Sequence, residues 1–88
     1  MNAPSDAELR AIVRDALRQV APEADLERLD PAADLREALE IDSMDVLNLA
    51  IAIHERTGVE IPEADYTQLR SLADGVAYLR RRLGPAPP

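Results

Sequence analysis

Apolar residues recur every three or four positions over separate stretches of the chain, and each stretch is bounded by capping or breaking residues. Leu9, Ile12, Val13, Ala16, Leu17 and Val20 form the first stripe, a spacing that predicts a helix with one core-facing side. Ser5-Asp6-Ala7-Glu8 in front of it has the capping-box pattern, with Ser5 capping the first turn and Glu8 reaching back. The helix ends before Pro22. A second helix is predicted from Ser43 to Thr57, closed by Gly58. Pro62 opens a brief third helix that reaches Gln68, and Ser71-Leu72-Ala73-Asp74, a second capping-box pattern, opens a fourth. That last helix is expected to bury Leu72, Val76, Leu79 and Leu83, and Arg80, Arg81 and Arg82 suit the negative end of its dipole. Gly75 inside it costs on the order of 1 kcal/mol relative to Ala.

Between the first and second helices, from Pro22 to Asp42, runs a long connection that holds Leu26, Leu29, Leu35, Leu39 and Ile41 at intervals. These leucines are expected to pin it to the helices, with a short helical turn near Asp34 to Leu39. A connection of this length is uncommon in a compact domain and often functional. The predicted fold class is therefore all-α, a four-helix bundle of three longer helices and one short one with a long loop between helices one and two. Residues 1–84 are expected to form one domain and 85–88 a Pro-rich tail. A chain of 88 residues leaves no room for a second domain.

Composition narrows the chemistry. Hydrophobic residues make up 47% but aromatics only 2%, so the core is expected to be aliphatic. The absence of Cys excludes disulfides, thiolate metal sites and a thiol nucleophile; no metal site is expected. No basic segment leads an apolar run at the N-terminus and no apolar stretch reaches about 18 residues, so the expectation is a cytoplasmic protein without stable membrane insertion. The net charge is −7, which makes nucleic acid and anionic membranes poor partners and basic protein surfaces suitable ones. The excess is local. Residues 23–45 hold nine acidic side chains against Arg28 and Arg36, and the regions on either side cancel to zero.

The second helix carries one apolar face too many. At about 100° per residue, Val46, Leu49, Ala50 and Ile53 make an ordinary core stripe. Met44, Leu47 and Ile51 fall on another side, the side of Ser43 and His54. That second strip either packs beneath the long loop or lies exposed as a docking surface, where carboxylates steer a basic partner and the apolar side chains supply contact. Ser43 is not positioned for catalysis of its own. The one His lies about 16.5 Å along a continuous helix, beyond hydrogen-bond reach. No catalytic residue is expected, and a hydrolase is the least favoured reading. Asp42 and Asp45 suit the capping of the helix start, and Ser43 suits modification by another enzyme.

Taken in order, Asp42-Ser43-Met44-Asp45, the apolar run Val46 to Ile53, Gly58-Val59-Glu60-Ile61-Pro62 and Ser71-Leu72-Ala73-Asp74 resemble the acyl carrier proteins over nearly the whole chain. The resemblance implies a carrier-type four-helix bundle that is not an enzyme. It implies 4′-phosphopantetheine moved from coenzyme A onto Ser43 by a phosphopantetheinyl transferase, whose recognition motif includes Asp42 and Asp45, with Met44 beside them in the cofactor-binding set. It further implies a thioester-linked acyl cargo passed between biosynthetic enzymes, as in fatty acid biosynthesis and lipid metabolism, and a cavity between helices able to shelter it. Met44, Leu47 and Ile51 match partner-facing positions, and Asn48, His54 and Glu55 complete the partner-binding set, although His54 by itself reads as a solvated surface residue. Family members that serve fatty acids usually have Gly at Glu40, Leu at Met44, Glu at Asn48 and His54, and Phe near Thr57. The loss of the two acids at Asn48 and His54, together with Arg56, weakens the acidic face and points to a specialised carrier; the carrier is expected to be free-standing and monomeric. An amino acid loaded by an adenylating ligase is the alternative cargo, and an unmodified helical interaction module is the alternative function.

Overall fold

The computed structural model describes residues 3–85; of the expected tail, residues 86–88 lie outside the described residues. Ser5 caps helix α1 (Asp6–Val20) by accepting from the Glu8 N–H, and the Glu8 carboxylate returns the bond to the Ser5 N–H at 3.0 Å. Both halves of the capping box are therefore present. Helix α2 (Leu35–Ala38) is the short turn expected in the connection, capped by Asp34, whose Oδ1 accepts from the N–H groups of Arg36 and Glu37. Helix α3 (Ser43–Thr57) ends at Gly58, which takes the left-handed conformation at φ 74° and donates to the His54 carbonyl at 2.8 Å. Helix α4 (Leu72–Leu83) completes the bundle.

Two elements differ from the expectation. The brief helix expected from Pro62 to about Gln68 is wound as a 3₁₀ helix, Glu63–Leu69, and a further 3₁₀ turn at Leu26–Arg28, not expected, seats Leu26 in the core. Tight 3₁₀ winding is usual for short connecting pieces. The Ser71 pattern also forms only half a box: Ser71 accepts from the Asp74 N–H at 3.0 Å, but no carboxylate returns to the Ser71 N–H.

The core is aliphatic apart from one ring. Leu9, Val13, Ala16 and Leu17 of α1 meet Leu49, Ala50 and Ile53 of α3 and Leu72 and Leu79 of α4, all buried. Helix α1 packs against both α3 and α4, and the 3₁₀ helix Glu63–Leu69 bridges α3 to α4. Val46, expected in the core stripe of α3, is half-buried and Ala52 is buried in its stead; in α4, Val76 and Leu83 are half-buried while Tyr78 is buried. Burial of Tyr78 is possible because its hydroxyl donates to Asp65 at 2.7 Å and accepts from Arg82 at 2.7 Å.

The long acidic connection is tied down by backbone bonds as well as by its leucines. Leu35 N–H donates to the Arg70 carbonyl at 2.8 Å, and Pro31 offers its carbonyl to the Ala73 N–H at 2.9 Å. The second bond satisfies one of the free amides at the start of α4. Leu26, Leu35 and Ile41 are buried, and Leu29 and Leu39 pack partly against the core. The radius of gyration is 12.1 Å, about the value for a fully compact chain of this length, so the connection lies on the bundle instead of projecting from it.

Candidate functional site

The site begins with the way α3 starts. Asp42 stands at the cap position with extended backbone, its Oδ1 accepting from the Asp45 N–H at 3.0 Å, while the Asp45 carboxylate accepts from the Asp42 N–H at 3.1 Å. The two carboxylates thus do the capping that the sequence offered them. Ser43, the first residue of the helix, is left with nothing to cap. Its side chain is exposed and makes no hydrogen bond among the described residues.

Nothing nearby activates that hydroxyl. Helix α3 runs unbroken to Thr57, so His54 lies at its opposite end, where the ring Nδ1 contacts the Val59 carbonyl at 3.1 Å and therefore donates to it. Among the described residues, Ser43 is thus an exposed hydroxyl with no histidine within hydrogen-bond reach.

Beside Ser43, α2 and the 3₁₀ helix Glu63–Leu69 leave an open cleft of about 550 Å³. Leu35, Val46 and Leu69 give it an apolar floor, while Arg36 and Arg70 lie on its lining with Ser43. Arg70 Nε donates to Asp34 Oδ2 at 3.1 Å. The Asp34 carboxyl is held below its usual range, chiefly by the Glu37 N–H and further by Arg70. This pair was not legible in the order of residues, because its members are 36 positions apart and only the docking of the loop on the 3₁₀ helix brings them together.

The second apolar strip of α3 lies outside the core. Met44 is 62% and Ile51 47% exposed, and Leu47 is half-buried without packing on the core cluster. Asn48, His54 and Glu55 are exposed alongside, and Asp45 is half-buried. The structure therefore favours the exposed strip over packing beneath the long loop. Arg56 is turned away from it, donating to the Ala52 carbonyl at 3.1 Å and, with the Gln19 amide oriented to accept, to α1.

The sequence profile of the family described as "Phosphopantetheine attachment site" matches residues 7–79. The acyl carrier protein of Thermosynechococcus vestitus is 32% identical over 75 residues, spanning 85% of this chain and 86% of that protein. That of Campylobacter hominis is 38% identical over 72 residues, spanning 82% and 85%. The chain belongs to the acyl carrier protein family. A meromycolate extension acyl carrier protein of Mycobacterium tuberculosis is 32% identical over 53 residues, 60% of this carrier and 46% of that protein.

Membership fixes the class of function. Such carriers hold acyl groups on 4′-phosphopantetheine, are not enzymes, and work with phosphopantetheinyl transferases and biosynthetic enzymes. When bound, the arm supplies the terminal thiol that a chain without Cys lacks. The residues of this carrier fit it: a free, exposed serine hydroxyl at the head of α3, an open cleft next to it, and two guanidinium groups on the cleft lining.

Proposed function

We propose that Ser43 is the attachment residue and that residues 1–84 form a carrier domain serving a specialised pathway. The observation that carries this reading is the Asp42–Asp45 capping box, which occupies the helix start and leaves the intervening Ser43 hydroxyl exposed and unbonded. In the loading step the Ser43 oxygen forms a bond to the phosphorus of the pantetheine phosphate as the pyrophosphate bond of coenzyme A breaks. Adenosine 3′,5′-bisphosphate leaves, and the hydroxyl proton passes to a base of the transferase, since this chain places none there.

Asp42, Met44 and Asp45 form the transferase-facing end of α3, and Leu47, Asn48, Ile51, His54 and Glu55 continue the docking face toward the enzymes that load and unload the cargo. With Asn48 and His54 in place of acids, that face attracts a basic partner less strongly than an acidic one would. This difference supports specialised partners. The cargo is an acyl group, with an amino acid loaded by a ligase as the alternative within the same chemistry.

Intact-protein mass spectrometry after incubation with coenzyme A and a broad-specificity phosphopantetheinyl transferase tests the reading. One phosphopantetheine adduct is expected on the wild type and none on Ser43→Ala. An unmodified wild type, or an adduct surviving in Ser43→Ala, would falsify the assignment and leave the unmodified interaction module as the better account.

A further inference from the structure

Arg10, Arg14 and Arg18 stand one turn apart along α1, so three like charges share one ridge of the helix. Like charges at this spacing disfavour a helix, and the fold neutralises only the last of them: Arg18 binds Asp15 and reaches Glu27 of the long connection at 2.8 Å. Arg10 is exposed and makes no hydrogen bond or ion pair among the described residues. Arg14 makes none either; its Nε is buried without a partner, and its terminal nitrogens are the donors that reach solvent. Beside this ridge, α1 and α4 enclose a groove of about 530 Å³. Exposed Ala73 and Ala77, half-buried Val76 and exposed Pro31 make its floor apolar. Arg10 stands on its wall, as do Asp6 and Arg80, which pair at 2.7 Å and so cancel. Of the carboxylates adjoining these residues in the chain, Asp30 accepts from the Ala32 N–H at 2.9 Å, and Asp74 shares a ridge of α4 with Arg81, two turns on. The charge left uncompensated along the groove is therefore positive.

We infer that the α1–α4 groove docks an acidic, amphipathic segment of a partner protein, with carboxylates on Arg10 and Arg14 and aliphatic side chains over Ala73, Val76 and Ala77. Two observations choose that occupant. A trough of this volume admits a few side chains of a helix, whereas a lipid surface has nothing to insert into it. The free guanidinium groups beside it match carboxylates in geometry and charge, the opposite of what the acid-rich start of α3 attracts. A second copy of this chain fits less well, because a net charge of −7 makes copies repel. The groove shares no lining residue with the cleft beside Ser43, and none of its residues belongs to α3. A partner seated there leaves Ser43 and the exposed strip of α3 uncovered, so one protein holds the carrier while another works at Ser43.

NMR of the isotope-labelled full chain tests this by titration, at low salt, with a synthetic amphipathic helix that carries Leu on one face and Glu on its flanks. Amide shifts are expected at Arg10, Arg14, Ala73 and Ala77 and not at Met44 or Ile51. Arg10→Gln should weaken binding about two- to fivefold, the share of one exposed ion pair, and Arg10→Lys should restore most of it. Ala77→Glu, which sets a carboxylate on the floor, should abolish the shifts. Residues 10 and 77 are both exposed, so these substitutions leave the fold intact, and circular dichroism checks this. The same peptide with Gln in place of Glu should bind more weakly than the acidic one. Equal binding of the two peptides, or indifference to Arg10→Gln in folded protein, overturns the acidic partner. Shifts confined to α3, no shift at millimolar peptide, or the same groove shifts produced by phosphatidylglycerol vesicles or by raising the concentration of the carrier alone overturn the assignment of the groove. None of these outcomes depends on the attachment at Ser43, which mass spectrometry tests separately.

Discussion

Glu40 adopts a left-handed backbone at φ 54°, the one described residue other than glycine to do so. It lies between Leu39, which packs partly on the core, and buried Ile41, three residues before Ser43, where the chain must turn sharply to start α3. A residue with a Cβ holds this conformation at a cost of about 1–2 kcal/mol, of which glycine returns about 0.5–1 kcal/mol in chain entropy. Glu40→Gly is therefore expected to stabilise the fold by about 0.5–1 kcal/mol, read as a higher denaturant midpoint at unchanged slope; an equal or lower midpoint contradicts the strain. The same position shows what a sequence discloses. The resemblance leads one to expect Gly at this point, so the departure was legible in the chain, but its backbone consequence was not, because φ is set by the buried neighbours on either side.

Helix α3 carries two apolar faces with different fates, and their energetics separate them. Leu49 is 1% exposed at the centre of the bundle, so Leu49→Ala is expected to cost about 2–5 kcal/mol through lost burial and the cavity left behind. Ile51, two positions on, has no core to leave, and Ile51→Glu is expected to stay within about 0.5 kcal/mol of wild type while slowing cargo transfer to downstream enzymes. Thermal unfolding and a transfer assay on the two variants check both halves; an unfolded Ile51→Glu would return the strip to the core. The helical period separated these faces in the sequence, since angle about an axis follows from residue number alone. It could not say which partly apolar side lay deepest. Val46 yields its place to Ala52, and Val76 to Tyr78, because burial depends on how α1 packs against α3 and α4.

At the scale of the whole molecule, charge and fold meet at two caps. The Glu8 carboxyl is held low mainly by the Ser5 N–H and then by the Ser5 hydroxyl, and the Asp34 carboxyl mainly by the Glu37 N–H. A carboxyl depressed by folding adds stability that is fully present above its unfolded value and lost as pH falls through its folded one. Glu8→Gln and Asp34→Asn should therefore each be less stable than wild type at neutral pH, and the gap should narrow as pH falls through the ordinary carboxylate range and close only below it, once the carboxyls held low by the fold protonate too. Denaturant titrations across that range check this; a gap independent of pH would show that the charge is not what matters. The sequence by itself determined the longer helices, where they start and stop, the pair of capping acids on either side of Ser43 and the concentration of charge before it. These depend on neighbours within a turn or two, which the order of residues specifies directly. The tertiary structure decided the rest. The Asp34–Arg70 pair, the Leu35 and Ala73 backbone anchors, the Tyr78–Asp65 bond and the cleft with its two guanidinium groups all join segments far apart in the chain. Only the docking of the loop on the bundle fixes such distances, so these contacts became visible only once the chain had folded.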